Sequence, residues 1–311
     1  MSRPATRRGT LMRSPRKLAN GPRRQAHGPN GSESAARSSA ARDGAPRKAE
    51  AAIGVFDSGV GGVTVLQKIM ELLPHEHLIY LGDTGRFPYG NKSADAVRRY
   101  SLENTEFLVD KGIKMLVVAC NSAAAVALDT LGERFDIPVI GVIEPGAGQA
   151  VKQTRNRKIG VIGTEATIAS GAYTRALKRL DGDLEIYTRA CPLFVPLAEE
   201  GWVDNAVTRA AAALYLPSLR RSGIDTLVLG CTHYPLLEHV IGETMGPNVA
   251  LVDSARTTAA TVRETLIRYG LMRRSGDGSV SFFVTDVPER FIKVAGRFMG
   301  QRVDSAVRIE R

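Results

Sequence analysis

Residues 227–237 read LVLGCTHYPLL: an apolar run with the character of a buried strand stops at a cysteine and gives way to polar residues and a proline. The chain does nearly the same thing 111 residues earlier, where residues 116–126 read LVVACNSAAAV. Cys120 and Cys231 therefore end two similar runs. A second echo lies upstream of each, since IGVFDSGVGGVTVL from Ile53 resembles IGVIGTEATIASGAY from Ile159, an offset of 106. Two echoes at near-equal offsets indicate an internal duplication.

Working outward, short β-branched runs alternate with helical stretches on both sides of the repeat. Residues 52–56, 77–82, 114–119 and 137–142 read as strands in the first half, and 158–163, 183–187, 225–230 and 248–253 in the second. Continuous apolar strands separated by amphipathic helices predict parallel sheets covered on both faces. The fold expected is α/β, with two similar doubly wound parallel-sheet domains related by a pseudo-twofold axis and the active site in the cleft between them. After a helix with Asp253 or Ser254 as its cap, SVSFFVT (279–285) and a helix from Pro288 return to complete the first sheet. The expected domains are residues 51–143 plus 256–311, and residues 144–255.

The net charge of +10 suggests nucleic acid until it is located. Residues 1–50 hold twelve Lys or Arg and three acidic residues, so the basicity belongs to this extension and the rest of the chain is close to neutral. The extension is nearly empty of large apolar residues and is read as disordered. It has no apolar core of a secretory signal, and a nucleic-acid role is confined to this arm. No apolar stretch reaches the length of a membrane span. Three cysteines without a CxxC pair fit free thiols in a reducing cytoplasm.

In open parallel sheets, ligands bind beyond the carboxyl ends of the strands. Four polar clusters fall there: DSGVGG (57–62), DTGRFPYG (83–90), CNSA (120–123) and CTHYP (231–235). A pseudo-twofold would point both cysteines into one cleft from opposite sides. Each also reads as the start of a helix, where free N–H groups and a partial positive charge lower a thiol's pKa. His233 and Asp57 are the candidate proton partners. Cys191 has no symmetric mate and reads as core. DSGVGG is neither a dinucleotide fingerprint nor a phosphate loop, and His75 and His77 read as a solvated loop, so no metal site is expected. Thiols on opposite faces of one small anion can remove and deliver a proton at the same carbon, which inverts a stereocentre without a cofactor.

GVFDSGVGG, RFPYG, ACNSA, GVIEPG, GTEATIASGAY and GCTHYPLL together resemble the glutamate racemases of the aspartate/glutamate racemase family, from Ile53 to the C-terminus. The resemblance implies cofactor-independent interconversion of L- and D-glutamate for peptidoglycan synthesis. It implies Cys120 as base on D-glutamate and Cys231 as base on L-glutamate, with Asp57, Glu144 and His233 as polar helpers. Substrate-binding positions carry over to Asp57 and Ser58, Tyr89 and Gly90, Asn121 and Ser122, and Thr232 and His233. Ser122 stands where threonine is usual, keeping the hydroxyl. The resemblance allows a homodimer, since family members are often dimers with varied arrangements, while the sequence itself gives no oligomeric state. Aspartate remains an alternative substrate. A pyridoxal phosphate enzyme is disfavoured because no lysine stands at a strand's carboxyl end in these clusters.

Overall fold

The computed structural model describes residues 48–310, so expectations for residues 1–47 lie outside the described residues. Among the described residues ten strands are formed: β1 (Ile53–Asp57), β2 (His77–Gly82), β3 (Met115–Val118), β4 (Val139–Gly141), β5 (Lys158–Gly163), β6 (Glu185–Ala190), β7 (Thr226–Gly230), β8 (Ala250–Asp253), β9 (Ser279–Val284) and β10 (Val307–Arg308). They build two wholly parallel sheets, one in the order β10-β9-β2-β1-β3-β4 and one in the order β6-β5-β7-β8.

The duplication is visible in this topology. Strands β2-β1-β3-β4 and β6-β5-β7-β8 have the same order, and their registers correspond. Ile53 of β1 faces Met115 of β3, while Ile159 of β5 faces Thr226 of β7. Those are the offsets of 106 and 111 carried by the two sequence echoes. SVSFFV joins the first sheet as β9, parallel to β2 with Ser279 opposite His77.

Helices cover the sheets because their apolar residues keep the helical period. The helix Pro288–Met299 buries Phe291, Val294, Ala295, Phe298 and Met299, a single i, i+3, i+4, i+7, i+8 stripe. Strands β1, β3 and β7 are buried along their whole length, as strands covered on both faces must be. Asp253, rather than Ser254, caps the helix Ser254–Arg268, accepting from the Ala255 N–H at 2.9 Å. That helix packs on both Val63–Leu72 and Ile143–Gln153 and so ties the two sheets together. The expected domain boundaries at 143/144 and 255/256 both fall in the first turn of a helix.

Three strands start two residues later than expected: β4 at Val139, β6 at Glu185 and β8 at Ala250. β6 begins at Glu185, not Asp183, because Asp183 donates its N–H to the Asp181 carboxylate at 2.9 Å in a local turn. β6 is an edge strand whose residues are half-buried or exposed, so it lacks the continuous apolar run of β1, β3 and β7. His75 and His77 bond Gly276 O and Ser279 Oγ, both at 2.7 Å, and no metal-holding cluster occurs among the described residues. No described helix is long and apolar enough to cross a membrane.

Candidate active site

The carboxyl ends of β1, β3 and β7 deliver Asp57 and Ser58, Cys120, and Cys231 to one place. Cys120 caps the helix Asn121–Arg134 from an extended backbone, and its thiol donates to Ser58 Oγ at 3.5 Å. Cys231 differs from its mate. The Tyr234 N–H donates to the Cys231 carbonyl at 3.1 Å, closing a tight turn that leads into a 3₁₀ segment, Tyr234–Leu237, before an α-helix starts at Glu238. Only Cys120, then, stands at an α-helix N-terminus.

Cys231 has an imidazole instead. Its sulfur lies 3.8 Å from His233 Nδ1, while His233 Nε2 lies 3.2 Å from Glu199 Oε1. Phe87 stacks on the imidazole, with ring centroids 5.9 Å apart, and Phe298 meets it edge-on at 5.4 Å. These contacts fix the ring plane and leave its two nitrogens for Cys231 and Glu199. Thr232 crosses between the halves: its hydroxyl is 3.5 Å from Asp57 Oδ1, and its carbonyl accepts from Thr64 Oγ1 at 3.3 Å.

The loop after β2 closes the site. Buried Asp83 accepts from Arg86 Nε at 2.7 Å, from Thr285 Oγ1 at 2.9 Å and from the Tyr89 hydroxyl. Asn104 donates to the Tyr89 oxygen at 3.0 Å. So held, Tyr89 and Gly90 line a cavity of about 20 Å³ together with Ser58, both cysteines, Asn121, Ser122, Thr232 and His233. That volume accommodates about one water. Asp57 lies just beneath it, its Oδ2 accepting from the Gly59 N–H at 3.0 Å.

Glu144 is the exception. It is exposed and pairs with Arg179 on another surface, outside this cavity. The helix Ile143–Gln153 buries Ile143, Gly146, Ala147 and Ala150, which turns position 144 away from the core. The carboxylate that reaches the imidazole is Glu199. Thr164 is a further lining residue, 2.9 Å from Ser122 Oγ. An offset of 106 from Ser58 identifies Thr164 as its symmetric mate, so the repeat contained this signal.

Burial dominates the proton chemistry. It pushes the Cys120 thiol up to about 12, with the Asp57 carboxylate adding to it, against hydrogen bonds from Ser58 and the Ala123 N–H. The lowered value expected from the helix N-terminus is overturned, because desolvation outweighs those N–H groups. Burial likewise raises Asp57. For His233, burial disfavours the imidazolium, but bonds to Cys231 and Glu199 and the charges of Cys231 and Asp57 prevail and push it up to about 10.

Both His233 and Cys120 therefore hold a proton more tightly in the folded protein. For His233 the stabilisation is complete below its ordinary 6.5 and is lost as pH rises toward about 10; for Cys120 the loss runs from 9.0 toward about 12. The expected result is a melting temperature that falls as pH is raised above about 7. A His233→Asn variant should flatten that fall, and circular-dichroism melts across a pH series check it.

Asn121 adds a demand for a ligand. Tyr173 donates to its Oδ1 at 2.7 Å, but its buried Nδ2 has no hydrogen-bond partner. An orphaned buried donor costs about 1–3 kcal/mol, and an oxygen of a bound anion in the adjoining cavity would satisfy it.

The family model described as Asp/Glu/hydantoin racemase matches residues 53–262. A glutamate racemase of Geobacter metallireducens is 56% identical over 259 residues, covering 83% of this chain and 96% of that protein. Among solved structures, a glutamate racemase isoform of Bacillus anthracis is 42% identical with a TM-score of 0.81, covering 84% of this chain and 97% of that one. The Francisella tularensis glutamate racemase, solved in complex with D-glutamate, is 33% identical with a TM-score of 0.80 and covers 84% and 98%.

Proposed function

The chain belongs to the Asp/Glu/hydantoin racemase family, and from that premise we propose that it interconverts L- and D-glutamate by a two-base mechanism without a cofactor. The D-glutamate formed would serve peptidoglycan synthesis. The observation that carries this reading is the pair of thiols lining one small cavity from equivalent strands of two duplicated sheets.

Cys231 takes the α-proton of L-glutamate, and the Cys120 thiol returns one to the opposite face; the reverse reaction exchanges the roles. The two bases are equivalent in position and different in support. Cys120 has Ser58 and the Asp57 charge beside it, while Cys231 has the His233–Glu199 pair. His233 can hold or supply the proton that Cys231 exchanges. Ser58, Asn121, Ser122 and Thr232 offer short donors for the carboxylates, and Asn121 Nδ2 is the one left unpartnered. A cavity of about 20 Å³ is too small for an amino acid, so the site must widen for entry and close again. Closing excludes water and strengthens each of these contacts.

Proton NMR of the purified protein in heavy water, with L-glutamate and then D-glutamate and no pyridoxal phosphate, tests the reading. The expected result is loss of the α-proton signal together with accumulation of the opposite enantiomer. A parallel run with aspartate decides the substrate. Glutamate that keeps its α-proton under reducing conditions would remove the proposal.

A further inference from the structure

The helix Pro288–Met299 packs with the first sheet's helix Val63–Leu72, yet one of its faces grips a residue of the other half. Arg290 Nη2 lies 3.5 Å from Glu199 Oε2, and Arg297 Nη1 donates to the Glu199 main-chain carbonyl at 2.8 Å. The Phe298 ring packs perpendicular to the His233 imidazole. Positions 290, 297 and 298 are i, i+7 and i+8, a single stripe two turns long. All three therefore meet the Glu199–His233 pair from the same side.

The Glu199 carboxylate is divided between two partners, Oε1 facing His233 and Oε2 facing Arg290. Beside it lies a cavity of about 270 Å³, lined by Glu199, Arg290, Asp286 and Phe87 among others. A carboxylate released by Arg290 has room to turn into that space and away from the imidazole. We propose that Arg290 is a positioning residue, holding Glu199 in the rotamer that presents Oε1 to His233, with Arg297 anchoring the main chain beneath it. The helix Pro288–Met299 is thereby part of the proton machinery at Cys231, although none of its residues lines the catalytic cavity.

This inference rests on the two-base reading above. The charged and titratable groups facing His233 are Cys231, Asp57 and Glu199; Arg290 and Arg297 act through Glu199, and Asp286 lines the same side cavity. The Arg290 side chain is 67% exposed, so its charge is well screened and its effect is to fix a geometry. The sign follows. Glu199 helps His233 keep its proton, so losing that contact makes the imidazolium give it up at lower pH.

The test measures kcat and KM for glutamate across pH in wild type, Arg290→Ala, Arg290→Lys, Glu199→Gln, and the Arg290→Ala/Glu199→Gln double variant. Arg290→Ala is expected to lower kcat about tenfold, a fraction of the ~10²–10⁴ contributed by a placed acid or base. KM should stay within about twofold, and the alkaline limb of kcat should move to lower pH. Arg290→Lys should restore most of the rate, and the double variant should be no slower than Glu199→Gln alone. An unmoved alkaline limb in Arg290→Ala, or additive losses in the double variant, would overturn the proposal. So would a lowered melting temperature with an unchanged pH profile, since that marks a structural contact only. Wild-type protein inert toward glutamate would instead defeat the proposed function, so the two failures are distinguishable.

Discussion

Replacing either Cys120 or Cys231 with serine is expected to reduce racemisation at least ~10³-fold while leaving the fold intact. Both thiols sit within one cavity, and inversion needs one proton taken and one given on opposite faces of the same carbon. A serine hydroxyl ionises far less readily than a thiol and cannot act as the base, so losing one thiol disables both directions. The fold should tolerate the exchange because each site offers the new hydroxyl a partner: Ser58 Oγ beside Cys120, and His233 Nδ1 beside Cys231. Cys191 serves as the control. It is buried but does not line the cavity, and its sulfur only approaches the Arg189 carbonyl at 3.7 Å. Cys191→Ala should keep near-wild-type activity. Enantiomer accumulation followed by polarimetry, with circular-dichroism melts alongside, decides the matter. A serine variant at Cys120 or Cys231 that stays fully active would sink the two-base assignment.

The parts of this site legible in the sequence are those that the duplication repeats. Strand ends recur at fixed offsets, and in a parallel sheet the residue after a buried run must emerge at the carboxyl edge, so Cys120, Cys231, Asp57 and their neighbours could be placed from spacing. Thr164 was reachable by the same offset. Glu199 was not. It lies on the short helix Phe194–Glu200, next to Glu200, outside the two stretches whose sequences echo each other. It comes to His233 because the helix Phe194–Glu200 packs on the segment Tyr234–Leu237, with the Phe194 and Tyr234 rings perpendicular. That is a contact across 34 residues, which no local pattern records. Glu144 lies away from the cavity for the opposite reason. Its motif was clear, but one step around a helix separates the buried residue Ile143 from an exposed carboxylate. Periodicity locates a strand end well, whereas a side chain's direction on a helix depends on which face is covered.

The glycines of DSGVGG are compatible with an ordinary tight turn in the sequence, and the structure gives one of them a sharper role. A Cβ placed on Gly61 would lie 2.3 Å from Thr232 Oγ1, 2.4 Å from His233 Nδ1 and 2.5 Å from His233 Cε1. The first-half loop thus touches the second-half catalytic residues with no side chain between them. Contacts this short must open by about 1 Å, given that non-bonded carbon atoms rest at ~3.5–4.0 Å. The imidazole cannot yield freely, since Phe87 covers its face, Phe298 meets its edge and Glu199 holds Nε2. Gly61→Ala must therefore either displace the ring from Cys231 or hold the two halves apart. A displacement of about 1 Å in a catalytic group costs on the order of 10²-fold, and that is the expected loss in kcat. Gly132, on the helix Asn121–Arg134, is the matched control, because a Cβ there meets nothing within 4 Å. Gly132→Ala should keep full activity and gain up to ~1 kcal/mol in stability from helix propensity. Steady-state kinetics on the two variants separates the effects. If Gly61→Ala turns over glutamate as fast as wild type, closure does not require this approach, and the geometry around His233 is softer than its neighbours imply.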